Sequence, residues 1–149
     1  MLFRSTHPAL TSEHLMTVPY LMVCAPAHPL AQWGRPIPAR ELSQHVQLVL
    51  SDRSKLTGQT DLGVLSPKTW RLSDLGAKHA FLKAGLGWGG MPLHAVEADL
   101  ASGALVALAF EETRPNASIS LAAIYRTDTP PGPAGRWLLD ELKRVAGRG

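Results

Sequence analysis

The feature that most constrains this chain lies between Ser73 and Gly103, where a capped helix, a run of glycines and a second, proline-led helix follow one another. Ser73 is a favourable N-cap for a helix over about 74–84, with Asp74 in the first turn, where an anion is favoured. Ala77, Phe81 and Ala84 recur at helical spacing, and Gly85 fits a left-handed stop after the last turn. Residues 86–91 are short and glycine-rich. Pro92 suits the first turn of the next helix, whose apolar face is Leu93, Val96 and Leu100 and which Gly103 ends. Apolar runs at 18–24, 46–50, 105–110 and 119–125 predict buried strands on either side of this block. Pro133 opens a last helix with Ala134, Trp137, Leu138, Leu142 and Val145 on its apolar face. Arg136 and Asp140, and Asp140 and Arg144, stand at i,i+4 spacing on its polar side. Strands alternating with helices predict an α/β fold with a largely parallel sheet. Its core is expected to hold Val46, Leu48, Leu50, Phe81, Leu82, Val96, Leu100, Leu105 and Val106.

Composition narrows the function classes. A chain of 149 residues, 45% hydrophobic and 18% charged, makes one ordinary globular domain or two small lobes. The longest apolar stretch, 104–110, is far too short to span a bilayer. No export signal stands at the N-terminus, so a cytoplasmic protein without membrane contact is expected. A single cysteine, Cys24, forms no internal disulfide and suits a reducing compartment. The formal net charge is +3, but the basic residues are dispersed. Their densest group, Arg136, Lys143, Arg144 and Arg148, lies on or after the last helix, where cations complement the helix dipole. Specific nucleic-acid binding by these residues is therefore not expected.

The chemistry-bearing residues point to binding rather than catalysis. Gly85, Gly87 and Gly90 formally match G-x-G-x-x-G, but a dinucleotide site needs that motif to leave a strand and enter a helix. Here a helix precedes the glycines, and no nucleotide cofactor is expected. Glycines leading into a helix instead offer backbone N–H groups to a carboxylate, or simply permit a tight turn. The loop Ser51-Asp52-Arg53-Ser54-Lys55 follows the strand at 46–50, and ligands in open α/β sheets gather just past strand carboxyl ends. Arg53 suits bidentate pairing with an organic anion; an ordinary solvated loop is the alternative. Trp70 and Trp88 are expected to fill core, although the glycines around Trp88 leave its ring able to face a cleft. Cys24-x-x-x-His28 lacks a second ligand pair at zinc-like spacing, and His45, His79 and His94 form no metal pattern. No nucleophile elbow or paired-carboxylate setting occurs, so no catalytic residue and no metal or other cofactor is assigned.

Taken in order, VPYLMVCAPAHPLA, HVQLVLSDRS, SDLGAKHAFLKAGLGWGGMPLHAVEADLASGALVALAF and SLAAIYRTDTPPGPAGRWLLDEL resemble the C-terminal effector-binding, or substrate-binding, domain of LysR-type transcriptional regulators. The resemblance covers about residues 18–145. It implies a periplasmic-binding-protein-like (type II) two-lobed α/β fold holding a small organic anion as effector between the lobes. Residues 27–118 would form a complete second lobe, and 1–26 with 119–149 a partial first lobe. Ser51, Asp52, Arg53, Trp88, Gly89 and Met91 would line the second lobe's side of the site. The family's helix-turn-helix, linker helix and opening first-lobe strands have no counterpart in these residues, so the resemblance implies a truncated or fragmentary regulator. It further implies a dimer or tetramer in the parent protein, with DNA bound only through that helix-turn-helix. The competing expectations are a free-standing solute-binding module of the same fold and a small α/β enzyme.

Overall fold

The computed structural model describes residues 7–34, 36–51, 64–111 and 118–147. In chain order its elements are β1 (Leu10–Cys24), a 3-10 turn (Pro29–Gln32), α1 (Ala39–Leu42), β2 (Gln47–Leu50) and β3 (Thr69–Leu72). There follow α2 (Leu75–Lys83), β4 (Trp88–Pro92), α3 (Leu93–Ser102), β5 (Val106–Ala107), β6 (Ser118–Arg126) and α4 (Pro133–Ala146). They form two compact units, Met1–Pro19 with Ser118–Gly149, and Tyr20–Ala117. The resemblance implies lobe boundaries at 26/27 and 118/119; the compact units divide at 19/20, within β1, and at 117/118.

The 20–117 unit is built on a sheet in the order β3-β2-β4-β1-β5. Strand β2 runs parallel to β3 and β4, whereas the Tyr20–Cys24 part of β1 is antiparallel to β4 and β5. The sheet is thus mixed rather than largely parallel. Among the described strands, parallel pairing joins β2 to β3 and β4, of which β3 and β4 are connected by the α2 crossover. One apolar cluster gathers Val23, Leu48, Leu82, Met91, Val96 and Leu105, with Val46, Phe81 and Leu100 packed against it. A second gathers Cys24, Leu30, Ile37, Leu42 and Trp88, with Val106 against it. Leu50, expected in the core, is instead 43% exposed at the end of β2.

Several local details correct the sequence-based picture. Asp74, rather than Ser73, caps α2, its Oδ2 accepting the Ala77 N–H at 2.8 Å. Pro92 stands at the N-cap of α3 rather than inside its first turn. Residues 105–110 supply only the two-residue β5 and a bridge from Phe110 to Ile37. Strand β3 had no signal in the pattern, and its Trp70 is exposed rather than in the core. The buried Gln47 side chain fixes the approach to β3, its Oε1 accepting the Leu65 and Ser66 N–H groups at 2.7 and 3.1 Å. Across the helices, Asp99 of α3 holds His79 at 2.6 Å and Lys83 at 3.1 Å, both from α2.

In the other unit, the first part of β1 pairs antiparallel with β6, with an irregularity between His14 and Met16. Glu13 on β1 accepts from Tyr125 Oη and Lys143 Nζ, both at 2.7 Å, and from the guanidinium of Arg136. These bonds draw its carboxyl well below the usual carboxylate range, Arg136 being the largest cause. Arg136 therefore turns to Glu13 and Arg144 to Glu141, not to Asp140 as the i,i+4 spacing suggests. A bidentate carboxylate partner offers better geometry than a single exposed helix neighbour. No residue of α4 is fully buried.

Candidate functional site

Of the residues singled out from the sequence, Ser51 lies just past the carboxyl end of β2, whereas Trp88, Gly89 and Met91 lie within β4. Ser51 follows β2 directly, and its N–H donates to Leu72 O at 2.6 Å, tying the ends of β2 and β3 together. Asp52 and Arg53 lie outside the described residues. Trp88, Gly89 and Met91 belong to β4, a buried central strand rather than the loop that their composition suggests. Successive strand residues face opposite sides of a sheet. Trp88 accordingly enters the second cluster, edge-to-face against Phe110 at 6.1 Å, and Met91 the first. The Trp88 ring is fully buried and does not face a cleft. Its Nε1 has no hydrogen-bond partner among the described residues, a burial that carries a desolvation cost of roughly 1–3 kcal/mol.

Gly87, just before β4, and Gly89 and Gly90 within it serve close approach. A Cβ on Gly87 would lie 2.5 Å from Val46 O, and one on Gly89 would lie 2.6 Å from Leu48 O. A Cβ on Gly90 would collide with the ring of Tyr20. The space left beside Gly89 is taken by the stem of Lys78, whose Cε would stand 3.4 Å from such a Cβ. Lys78 projects from α2 and is only 2% exposed. Its Nζ donates to Tyr20 Oη at 3.3 Å and lies 5.9 Å from the centre of the Tyr20 ring. Burial pushes the Lys78 ammonium down to about 8 and the Tyr20 phenol up from its ordinary value.

Sequence reasoning did not single out Lys78 or Tyr20. A signal was available: Leu75, Lys78 and Leu82 stand at i, i+3 and i+7, so this lysine interrupts the apolar face of α2. Cys24 is buried, and burial pushes its thiol up to about 11, as for an inert structural cysteine. His28 Nδ1 accepts the Leu30 N–H at 3.1 Å and so caps the 3-10 turn. Among the described residues, no group of three or more His, Cys, Asp or Glu side chains is placed to hold a metal ion.

Comparison with protein-family models matches the LysR substrate binding domain over residues 1–147. The chain belongs to that family. As a LysR substrate-binding domain it has the type II periplasmic-binding-protein-like α/β fold, and solved structures agree. The effector binding domain of QuiR in complex with shikimate is 19% identical, with a TM-score of 0.71 over 98% of this chain and 69% of that one. The CrgA regulatory domain from Neisseria meningitidis is 22% identical, with a TM-score of 0.66 over 95% and 71%. The CcmR regulatory domain of Synechocystis PCC6803 in complex with 2-PG is 18% identical, with a TM-score of 0.68 over 92% and 67%. This LysR domain chain thus spans about two thirds of the length of these regulatory domains. Comparison with curated proteins finds no match. No helix among the described residues is long and apolar enough to cross a membrane.

Proposed function

We propose that this chain is the effector-sensing part of a LysR-type transcription regulator, a receptor for a small organic anion rather than an enzyme. The observation that carries this reading is the family match over residues 1–147. Support comes from two similar domains that were solved with small molecules, QuiR with shikimate and CcmR with 2-PG. The 20–117 unit is taken as the second lobe, and the residues before and after it as part of the first. The effector lies past the end of β2, against Ser51, Asp52 and Arg53, and alongside the β4 segment that holds Gly89. Trp88 and Met91 hold β4 in place from within the core.

In the working regulator, which is cytoplasmic and a homo-oligomer, effector binding closes the lobes and shifts the subunit arrangement. Such a switch is driven only by the difference in effector affinity between the two states. DNA is bound by a helix-turn-helix outside these residues. The test is an equilibrium titration with organic carboxylates of the complete regulator and its Arg53→Ala variant. Loss of one charge-assisted bond should weaken binding by about 1.5–3 kcal/mol. Unchanged affinity in the variant would remove Arg53 from the site. Sequence-specific DNA binding by residues 1–149 alone would contradict the division of labour; weak, salt-sensitive binding would not.

A further inference from the structure

Among the described residues of the 20–117 unit, Lys78 is a buried cation whose burial its own surroundings do not explain. An ammonium taken out of water is costly unless it is paired with an opposite charge. Lysine ordinarily avoids that cost by running its stem along apolar surface and leaving the head in solvent. Lys78 does not, being 2% exposed. Its polar neighbour among the described residues is the neutral Tyr20 hydroxyl, at 3.3 Å. A neutral acceptor satisfies one of three N–H donors and none of the charge.

The surroundings are shaped to keep the pair in place. The stem of Lys78 runs beside Gly89 and the ring of Tyr20 covers Gly90, two positions where a side chain would intrude. Strands β2 and β4 are joined by a single parallel bridge, Gln47 to Trp88. The pair therefore sits by β4 past that bridge, on the carboxyl-end side where sheets of this kind receive ligands. While the Tyr20 oxygen accepts from Lys78, its own O–H remains free to donate, so the pair offers N–H and O–H donors around one positive charge. Tyr20 is only partly buried and keeps some of its surface open to solvent.

We propose that Lys78 and Tyr20 are effector-binding residues, and that they hold the carboxylate of an organic monoanion, one oxygen on the ammonium and one on the hydroxyl. A single positive charge matches a carboxylate better than a doubly charged phosphate. The assignment rests on the effector-receptor reading above and adds its counter-charge and the chemical class of its ligand. It also explains why a buried charge is retained in α2: a bound anion neutralises it.

The test uses the full chain, with benzoate as probe and benzamide as its neutral counterpart, at constant ionic strength set with chloride. Wild type should bind benzoate more than about tenfold tighter than benzamide, as loss of a charge-assisted bond implies. Lys78→Met, which keeps the length of the stem, should abolish that preference and melt at a higher temperature than wild type without ligand. Tyr20→Phe should weaken benzoate severalfold. Should Lys78→Met not fold, the wild-type 15N resonance of the Lys78 ammonium serves instead, moving with benzoate and not with benzamide. Benzoate binding retained in Lys78→Met, or a Lys78 resonance indifferent to benzoate that binds, would overturn the assignment and leave the receptor reading standing. Equal binding of benzoate and benzamide by wild type, or no binding of either, would overturn both the assignment and the anion reading.

Discussion

Leu82 and Trp137 are both large apolar residues on helices, yet Leu82 of the 20–117 unit is fully buried and Trp137 of the other unit is 66% exposed. The contrast runs through both units. The 20–117 unit closes two apolar clusters around a five-stranded sheet. In the other unit, Val18 is the one buried apolar residue among those described, while Leu121, Ile124, Leu138, Leu142 and Val145 are exposed. Polar bonds from Tyr125, Arg136 and Lys143 converge there on Glu13. Burial of apolar side chains is the main source of stability, so the larger unit should dominate the folding free energy.

The largest expected effect is on that core. Leu82→Ala should destabilise by about 2–5 kcal/mol in urea unfolding, and Leu100→Ala, half-buried at the rim, by roughly 1–2 kcal/mol. Equal costs at the two positions would show that the rim is as tightly packed as the centre.

Next comes the buried lysine. Its folded value is pushed down to about 8 by burial, against about 10.4 in an unfolded chain. Between those values the unfolded state binds more protons, so stability should rise with pH, by on the order of 1–3 kcal/mol. Tyr20, whose value burial raises, works in the opposite direction above about pH 10, which confines the gain to pH 8–10. Wild type should show this rise relative to Lys78→Met, and parallel curves would place the ammonium in water.

A smaller effect, again a rise of stability with pH but in the acid range, belongs to Glu13. Its folded value is depressed by Arg136, Lys143 and Tyr125, so its contribution is full above about pH 4.3, the unfolded value, and is lost as pH falls below it. Glu13→Gln should lower the melting temperature at pH 7 and flatten the acid limb. High salt should shrink the difference. Smallest of all, Trp137→Ser should change stability by less than about 0.5 kcal/mol, as exposed substitutions do. A loss of several kcal/mol would mean that this face of α4 is covered in solution, and sedimentation of the two proteins would show whether a second copy covers it.

These contrasts also mark what the sequence made legible. Helices α2, α3 and α4 stand out because apolar spacing, capping residues and terminal glycines agree. Strand β4 was hidden because glycine is depleted in strands. Its glycines answer to the carbonyl of Leu48 and the ring of Tyr20, long-range neighbours that no local pattern records. Strand β3 is four residues long with an outward-facing Trp70, too short to show alternation. Position past a strand end points to the loop that begins at Ser51 and holds Asp52 and Arg53, whereas Trp88, Gly89 and Met91 follow from the glycine run before a helix and from the resemblance. The core takes up the side chains of Trp88 and Met91. Lys78 was passed over because a lysine on a helix is ordinarily solvated, and only its place between Leu75 and Leu82 argued otherwise.

The central claim is that the 20–117 unit receives an organic anion past the end of β2 and alongside β4. The most direct measurement is a 1H–15N correlation spectrum of the full chain titrated with benzoate and, separately, with benzamide. The account predicts saturable, benzoate-selective shifts grouped at Tyr20, Ser51, Lys78 and Gly89–Gly90, with the α4 amides unmoved. Shifts grouped on α4 and β6 instead, or the same shifts with benzamide, would contradict it.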